Sequence, residues 1–163
     1  MYVDALSFLE DEREGWAAYE ALSALSDERL AEPTPADGPG HGWSGRDLMV
    51  HLVAWQEFAL EAARELALGE SSATMARVDA DWESVGGDVM NAAIESSWAG
   101  LPMAEVRRRF STVAGELRGY LTVVPEARWV KHPAHLEFFL ANTLDHYAEH
   151  TSDLQAILGA PGA

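Results

Sequence analysis

The sequence contains no cysteine, few basic residues and no long apolar run, and each absence excludes a class of protein. Without cysteine there is no disulfide framework, and a metal site has to use nitrogen and oxygen ligands. Lys and Arg number 11 against 27 Asp and Glu, and the net charge of −16 repels nucleic-acid phosphates and anionic membrane surfaces. No run approaches the ~20 apolar residues that span a bilayer. We therefore expect neither a nucleic acid nor a membrane as a partner.

The residues that are present predict one domain in the cytoplasm. The chain has 163 residues, of which 48% are hydrophobic, and this is enough for a core without disulfides. The N-terminus carries Asp4 and no Lys or Arg before the first apolar positions, which is not the pattern of a secretory signal. We predict a single domain over residues 1–163.

Apolar residues recur at helical spacing in four long segments, which are separated by Pro- and Gly-containing stretches. Ser44 is a good N-cap for the second segment, with Asp47 three residues later and Gly69 after its last apolar turn. The long helices are predicted at about 2–26, 45–68, 103–124 and 134–158, with a turn at 82–87 and a shorter helix at 88–98.

The connection between the second and third predicted helices has ~30 residues, which is long for a loop in a bundle. Such a crossover is long enough for the third helix to run parallel to the second. We therefore predict an all-α, up-down-down-up four-helix bundle with a long crossover between helix 2 and helix 3.

Three histidines lie on apolar faces of two of these helices. His146 and His150 are four residues apart and share one face of the last helix. His51 lies on the inward stripe of the second helix, and antiparallel packing of the two helices brings it level with His150. One histidine at such a position is more often a satisfied core residue. Three of them favour a divalent metal ion, because a cation satisfies all the inward nitrogens at once.

Three imidazoles and no protein anion leave coordination positions open, which is the arrangement of a catalytic ion. Imidazole suits zinc, nickel, copper and iron(II) alike, so zinc is the default and nickel the next choice. Asp47, Asn142 and Asp145 stand within one turn of a ligand. We predict that they orient the imidazoles through hydrogen bonds, although each is also explicable as helix surface or a cap.

Four other side chains are predicted to bind the substrate. Arg13 and Arg46 are cations for an anionic group of a small molecule, while Trp55 and Tyr147 lie beside the ligands. For Arg13 the alternative is a packed stem with its head in water. The remaining histidines lie in loops or at a helix start and are treated as bystanders: His41, His132 and His135.

Residues 146–150, HYAEH, also match the inverted zinc-protease motif H-x-x-E-H, in which Glu149 would be the general base. Enzymes with this motif take a further ligand from well downstream. Only 13 residues follow His150, and none of them is His or Glu. Asp153, on the adjacent turn, would be a poor substitute, so the peptidase hypothesis is disfavoured.

Two segments carry a resemblance to a known family. Residues 43–55, WSGRDLMVHLVAW, and residues 146–154, HYAEHTSDL, are similar to the DinB/YfiT-like superfamily. This superfamily includes mycothiol-dependent maleylpyruvate isomerases, bacillithiol transferases and DfsB-like proteins linked to resistance against reactive metabolites. The resemblance implies a helical bundle in which His51, His146 and His150 hold a divalent metal.

The leading hypothesis is a metal-dependent enzyme that uses a low-molecular-weight thiol as cosubstrate. The chemistry would be of the S-transferase or isomerase type on a small electrophile, because a metal lowers the pKa of a thiol. Two alternatives stay open: a non-catalytic stress or resistance protein that binds small molecules, and a metal-dependent hydrolase. No catalytic residue beyond the metal ligands is assigned. The oligomeric state is open, with a homodimer among the options.

Overall fold

The computed structural model describes residues 2–159, and all regular elements in that range are helical, which confirms the predicted all-α class. Short 3-10 turns cover Tyr19–Ala24 and Glu126–Arg128. Within the described range, no helix combines the length and the apolar character that a membrane crossing requires. The α-helices are α1 (Ala5–Ala17), α2 (Asp27–Ala31), α3 (Gly45–Leu68), α4 (Ala73–Trp98), α5 (Met103–Val123), α6 (Pro133–Ala141), α7 (Leu144–Glu149) and α8 (Thr151–Gly159).

Helix α3 is the central element, and it packs most extensively against α5 and then against α4. Its start follows from a capping box: Asp47 N–H donates to Ser44 Oγ at 3.1 Å, and Ser44 N–H donates to the Asp47 carboxylate at 2.8 Å. The predicted bounds of this helix are confirmed. A well-capped, mostly buried helix is a rigid support for a site.

Contacts between the helices give their relative directions. Arg109 pairs with Glu57 and Arg64 pairs with Glu116, so positions rise together along α3 and α5 and the two helices run parallel. Helix α1 runs antiparallel to α5, since the Ala5 N–H donates to Glu126 while residue 12, further along α1, pairs with residue 118.

Helix α3 and the C-terminal helices run in opposite directions. Gly45 approaches Ile157, whereas Gln56 Nε2 donates to the Tyr147 hydroxyl at 2.7 Å. A Cβ on Gly45 would lie 2.6 Å from Leu30 Cδ2, so glycine lets α2 pack closely on the start of α3.

The first predicted helix is shorter than expected. Helix α1 ends at Ala17, and a 3-10 turn takes the place of the expected continuation to residue 26, after which the short helix α2 follows. Tyr19 and Leu22 are both buried in this turn, and their spacing of three residues matches the three residues per turn of a 3-10 helix. Tertiary burial therefore overrides the α-helical pattern here.

The predicted turn at 82–87 contains a kink within α4, where Gly86 separates two helical segments, and the second segment includes the predicted shorter helix at 88–98. Gly86 has φ 78° and ψ 165°, a backbone conformation that glycine adopts without strain. A Cβ at Gly87 would lie 2.7 Å from the Trp82 ring. Two consecutive glycines therefore let the chain bend against an indole between the two helical segments.

The last predicted helix is divided into α6, α7 and α8. Asn142 Nδ2 donates to the Phe138 carbonyl at 2.7 Å, and Thr143 Oγ1 donates to the Phe139 carbonyl at 2.6 Å. Side chains that bind carbonyls four residues back compete with the helical ladder and bend it. The break between α7 and α8 falls at His150, whose ψ is 10°.

Candidate metal centre

The structure brings His51, His146 and His150 together although they come from separate elements. His51 projects from α3, His146 lies within α7, and His150 is the residue at which α7 ends. One ring nitrogen from each lies within 4.8 Å of the others, so the three side chains could hold one metal ion. The ring centroids are 4.6 Å apart for His51 and His146, and 4.7 Å apart for His51 and His150.

Burial keeps two of these imidazoles neutral. His51 is 9% exposed and His146 is 6% exposed. Burial, with the neighbouring His150, lowers the pKa of His51 to about 4, and burial with the other two imidazoles lowers the pKa of His146 to about 3. At neutral pH both rings therefore present a nitrogen lone pair, which is the form that a metal requires.

Nε2 of His51 and Nε2 of His146 lie 2.7 Å apart, so in this arrangement one of them donates a hydrogen bond to the other. A tetrahedral ion with nitrogens at about 2.05 Å would hold two of them about 3.3 Å apart. This pair of rings therefore fits a divalent ion once the shared proton is lost and the two nitrogens separate by roughly half an ångström. In addition, His146 Nδ1 is buried with no hydrogen-bond partner among the described residues.

A buried carboxylate orients the third imidazole. Nδ1 of His150 donates to Asp153 at 2.9 Å, and the other Asp153 oxygen accepts from Nδ1 of His41 at 3.0 Å. The Trp43 ring stacks on His150, with centroids 5.2 Å apart and an angle of 22°. Because Nδ1 of His150 carries the proton, its Nε2 carries the lone pair.

None of the three side chains that we predicted to orient the imidazoles makes a hydrogen bond to one of them in the described structure. Asp47 is held in the capping box with Ser44, and Asn142 donates to the Phe138 carbonyl. Asp145 is exposed. Asp153 holds the His150 imidazole instead, and His41 contacts the other oxygen of Asp153. The expectation that His41 is a bystander is wrong, because the turn that contains it reaches Asp153.

The histidine cluster lies in the wall of a cavity of about 720 Å³, formed by α3, α4, α6, α7 and the segment that precedes α3. The cavity combines the imidazoles with aromatic walls and several carboxylates. Its lining residues are Trp43, His51, Trp55, Val78, Asp79, Trp82, Asn91, Ala134, Glu137, Phe138, Ala141, Asn142, Asp145, His146, Glu149 and His150.

Of the residues predicted to bind substrate, Trp55 lines this cavity, and its Nε1 donates to Asn91 Oδ1 at 3.0 Å. Arg46 lies outside the lining and donates to the carbonyls of Trp98 and Leu101, so it joins α3 to the end of α4. Arg13 is exposed on α1 and lies outside the lining as well.

Tyr147 points into the core of the bundle rather than into the cavity. Its hydroxyl donates a hydrogen bond to Glu12 at 2.8 Å and accepts one from Gln56. The residue is 3% exposed. Burial and the adjacent Glu12 carboxylate raise the pKa of Tyr147 well above 10.0, so the hydroxyl stays protonated. Arg118 completes this network with an ion pair to Glu12 at 2.6 Å.

Three residues of the site were not predicted from the sequence: His41, Trp43 and Asp153. The spacing of three residues between His150 and Asp153 was a usable signal, because such residues are neighbours on a helix. The sequence signal for His41 was weaker, because only its two flanking glycines indicate a turn. In the structure His41 adopts a φ of 52° in that turn. His132 and His135 lie apart from the site and stack on each other with centroids 3.7 Å apart.

Comparison with known proteins agrees with this geometry. A family model described as the DinB superfamily matches residues 11–153, a range that includes all three clustered histidines and Asp153. Neither a curated protein nor a solved structure matches the chain.

Proposed function

Because the chain belongs to the DinB superfamily, we propose that it is a divalent-metal-dependent enzyme that joins a low-molecular-weight thiol to a small electrophile. His51, His146 and His150 would hold the ion, with zinc as the first choice and nickel as the second. The observation that carries this proposal is the convergence of the three ring nitrogens within 4.8 Å in the wall of a cavity large enough for small molecules.

When bound, a divalent ion supplies Lewis acidity, which lowers the pKa of a thiol and polarises an electrophile. The chain's own residues prepare the site for this chemistry. Burial keeps His51 and His146 neutral, and Asp153 holds the tautomer of His150. Trp43 and Trp55 line the cavity beside the ligands, where apolar surface limits the access of water.

The proposal is tested by metal content together with thiol conjugation. We expect the purified protein to carry about one equivalent of a divalent metal by elemental analysis. It should conjugate thiols such as mycothiol, bacillithiol or cysteine to an activated electrophile such as monochlorobimane. His51→Ala and His150→Ala should lose both properties while keeping their helical circular dichroism spectrum.

A histidine outside the site supplies the matched control. His132 is exposed and caps α6, and His132→Asn keeps a capping side chain while removing an imidazole. This variant should retain metal and rate. Metal-loaded protein that binds thiol or electrophile without turnover would indicate a binding protein, and product formation without thiol would indicate a hydrolase. Either result overturns the transferase proposal.

A further inference from the structure

We propose that the cavity selects an organic cation, so that the substrate or the thiol that reacts with it carries a protonated amine. This inference deepens the proposed function and rests on it for the role of the metal. The first observation is charge: four carboxylates line the cavity, and its described lining contains neither Lys nor Arg. The carboxylates belong to Asp79, Glu137, Asp145 and Glu149.

Three of these carboxylates form a stripe. Glu137, Asp145 and Glu149 lie at intervals of eight and four residues along α6 and α7, and the small Ala141 stands between the first two. All three are exposed, and none has a hydrogen-bond or ion-pair partner among the described residues. Like charges around one concavity attract cations and repel anions. The stripe therefore biases the cavity toward a cationic ligand.

Some carboxylates elsewhere in the molecule do have basic partners. Glu105 pairs with Arg108 and Arg109, and Glu12 pairs with Arg118. Several of the arginines that the fold carries are thus used on other faces of the bundle. A divalent ion at the histidines would offset two of the four negative charges at the cavity, and the remaining charge is left for a ligand to neutralise.

A second, independent observation comes from a buried amide that lines the cavity. Asn142 is 4% exposed, and its Nδ2 donates to the Phe138 carbonyl. Its Oδ1 has no hydrogen-bond partner among the described residues. A buried acceptor without a partner is costly unless a ligand or water donates to it. A protonated amine has up to three N–H donors and no acceptor, which complements this oxygen and the carboxylates.

The aromatic walls are also suited to such a ligand. Trp43, Trp55 and Trp82 line the cavity, and they are three of the six tryptophans in the chain. Trp82 is 54% exposed, so part of an indole face is open to solvent. Indole faces attract cations and also pack against apolar surface. The ligand class that follows is a protonated amine on a small apolar body.

The test uses three probes that share a phenylmethyl body: benzylamine, benzyl alcohol and phenylmethanesulfonate. Their dissociation constants are measured by NMR titration at low ionic strength, on the zinc-loaded protein and on metal-stripped protein. We expect benzylamine to bind about tenfold tighter than phenylmethanesulfonate to metal-stripped protein, since a few exposed charges contribute modestly each. The preference should be smaller in the zinc-loaded form, because the ion adds two positive charges to the cavity. Because the metal-stripped form is included, charge preference is separated from coordination to the metal.

The variant Glu137→Gln/Asp145→Asn/Glu149→Gln should reduce this preference to about twofold or less. A matched control, Glu10→Gln/Glu14→Gln/Glu20→Gln, removes the same number of exposed carboxylates outside the cavity lining and should leave the preference unchanged. Equal binding of the anionic probe by wild type would overturn the proposal. An equal effect of both triple variants, or an effect of the cavity variant on zinc affinity alone, would also overturn it.

The source of the amine is found by comparing cysteamine, 2-mercaptoethanol and 3-mercaptopropionate as thiols. A preference for cysteamine that the cavity variant abolishes places the amine on the thiol. No preference among thiols, with the benzylamine preference retained, places it on the electrophile. If wild type conjugates no thiol but still prefers benzylamine, the proposed function fails while the cation selectivity stands.

Discussion

Asp153 accepts a hydrogen bond from Nδ1 of His150 at 2.9 Å, and this contact decides which nitrogen of the imidazole is free to bind a metal. A carboxylate in this position raises the basicity of a ligating imidazole and fixes its orientation. Asp153 is 5% exposed, and its second oxygen is occupied by His41. The carboxylate therefore connects the loop before α3 to the histidine cluster.

Asp153→Ala should weaken zinc binding about 10- to 100-fold, because His150 loses the group that holds its tautomer. The affinity is measured by competition with a chromogenic chelator. His41→Ala serves as the comparison, since it removes the hydrogen bond to the other oxygen of Asp153. Its effect on zinc affinity should be smaller. Identical affinities for wild type and Asp153→Ala would contradict the assigned role.

Metal-stripped protein should lose stability as the pH falls below about 6.5. The folded pKa values of His51 and His146 are about 4 and about 3, below the 6.5 of an exposed imidazole. Between these values the unfolded chain binds more protons than the folded chain, so the free energy of unfolding decreases with falling pH. At about 1.4 kcal/mol per pKa unit, each histidine contributes about 2 kcal/mol of this loss at pH 5.

This pH dependence is measured by urea unfolding of chelator-treated protein at pH 7 and pH 5. His51→Leu/His146→Leu is the reference, because it retains every carboxylate and removes only the two imidazoles. The stability of wild type should fall more steeply than that of the double variant. Equal changes in the two proteins would show that these imidazoles are not held neutral.

The buried network of Glu12, Arg118 and Tyr147 affects the stability of the protein and is not expected to affect metal binding. Glu12 is fully buried, and Arg118 neutralises it at 2.6 Å. Arg118→Met leaves that buried carboxylate without its ion-pair partner, and we expect a loss of about 3 kcal/mol in urea unfolding. Arg64→Met, which removes an exposed pair to Glu116, should lose less than about 1 kcal/mol. Comparable losses in the two variants would be inconsistent with a buried ion pair.

Two glycines in α5 offer stabilising substitutions. A Cβ at Gly115 or Gly119 would meet no neighbouring atom within 4 Å, and both residues are exposed inside the helix. Gly115→Ala and Gly119→Ala should each raise the free energy of unfolding by about 0.5–1 kcal/mol. Gly86→Ala should lower it, because Gly86 has a φ of 78°. Thermal unfolding of the three variants checks both directions.

The sequence predicted the parts of the molecule that depend on local patterns. The bounds of α3 followed from Ser44, Asp47 and Gly69, and the apolar stripe around His51 indicated its inward face. The four-residue spacing of His146 and His150 placed both imidazoles on one side of the chain, and the structure brings both near His51. Capping and periodicity act within one helix, so they can be read without knowledge of the fold.

The remaining features depend on contacts between distant parts of the chain. Arg46 donates to carbonyls 52 and 55 residues away, and His41 reaches Asp153 across 112 residues. No periodic pattern encodes such pairs. The break at Thr143 was hidden for a different reason: the apolar period continues through it, while two side chains take helical carbonyls.

The loop before α3 has a consequence for engineering. It contributes Trp43, which stacks on His150, and His41, which binds Asp153, although neither residue is placed to hold the ion. Grafting the three histidines onto an unrelated helical scaffold would transfer the ring nitrogens without the residues that orient His150 and pack against it. Transfer of the complete site to another protein therefore has to include the loop before α3 as well as the helices.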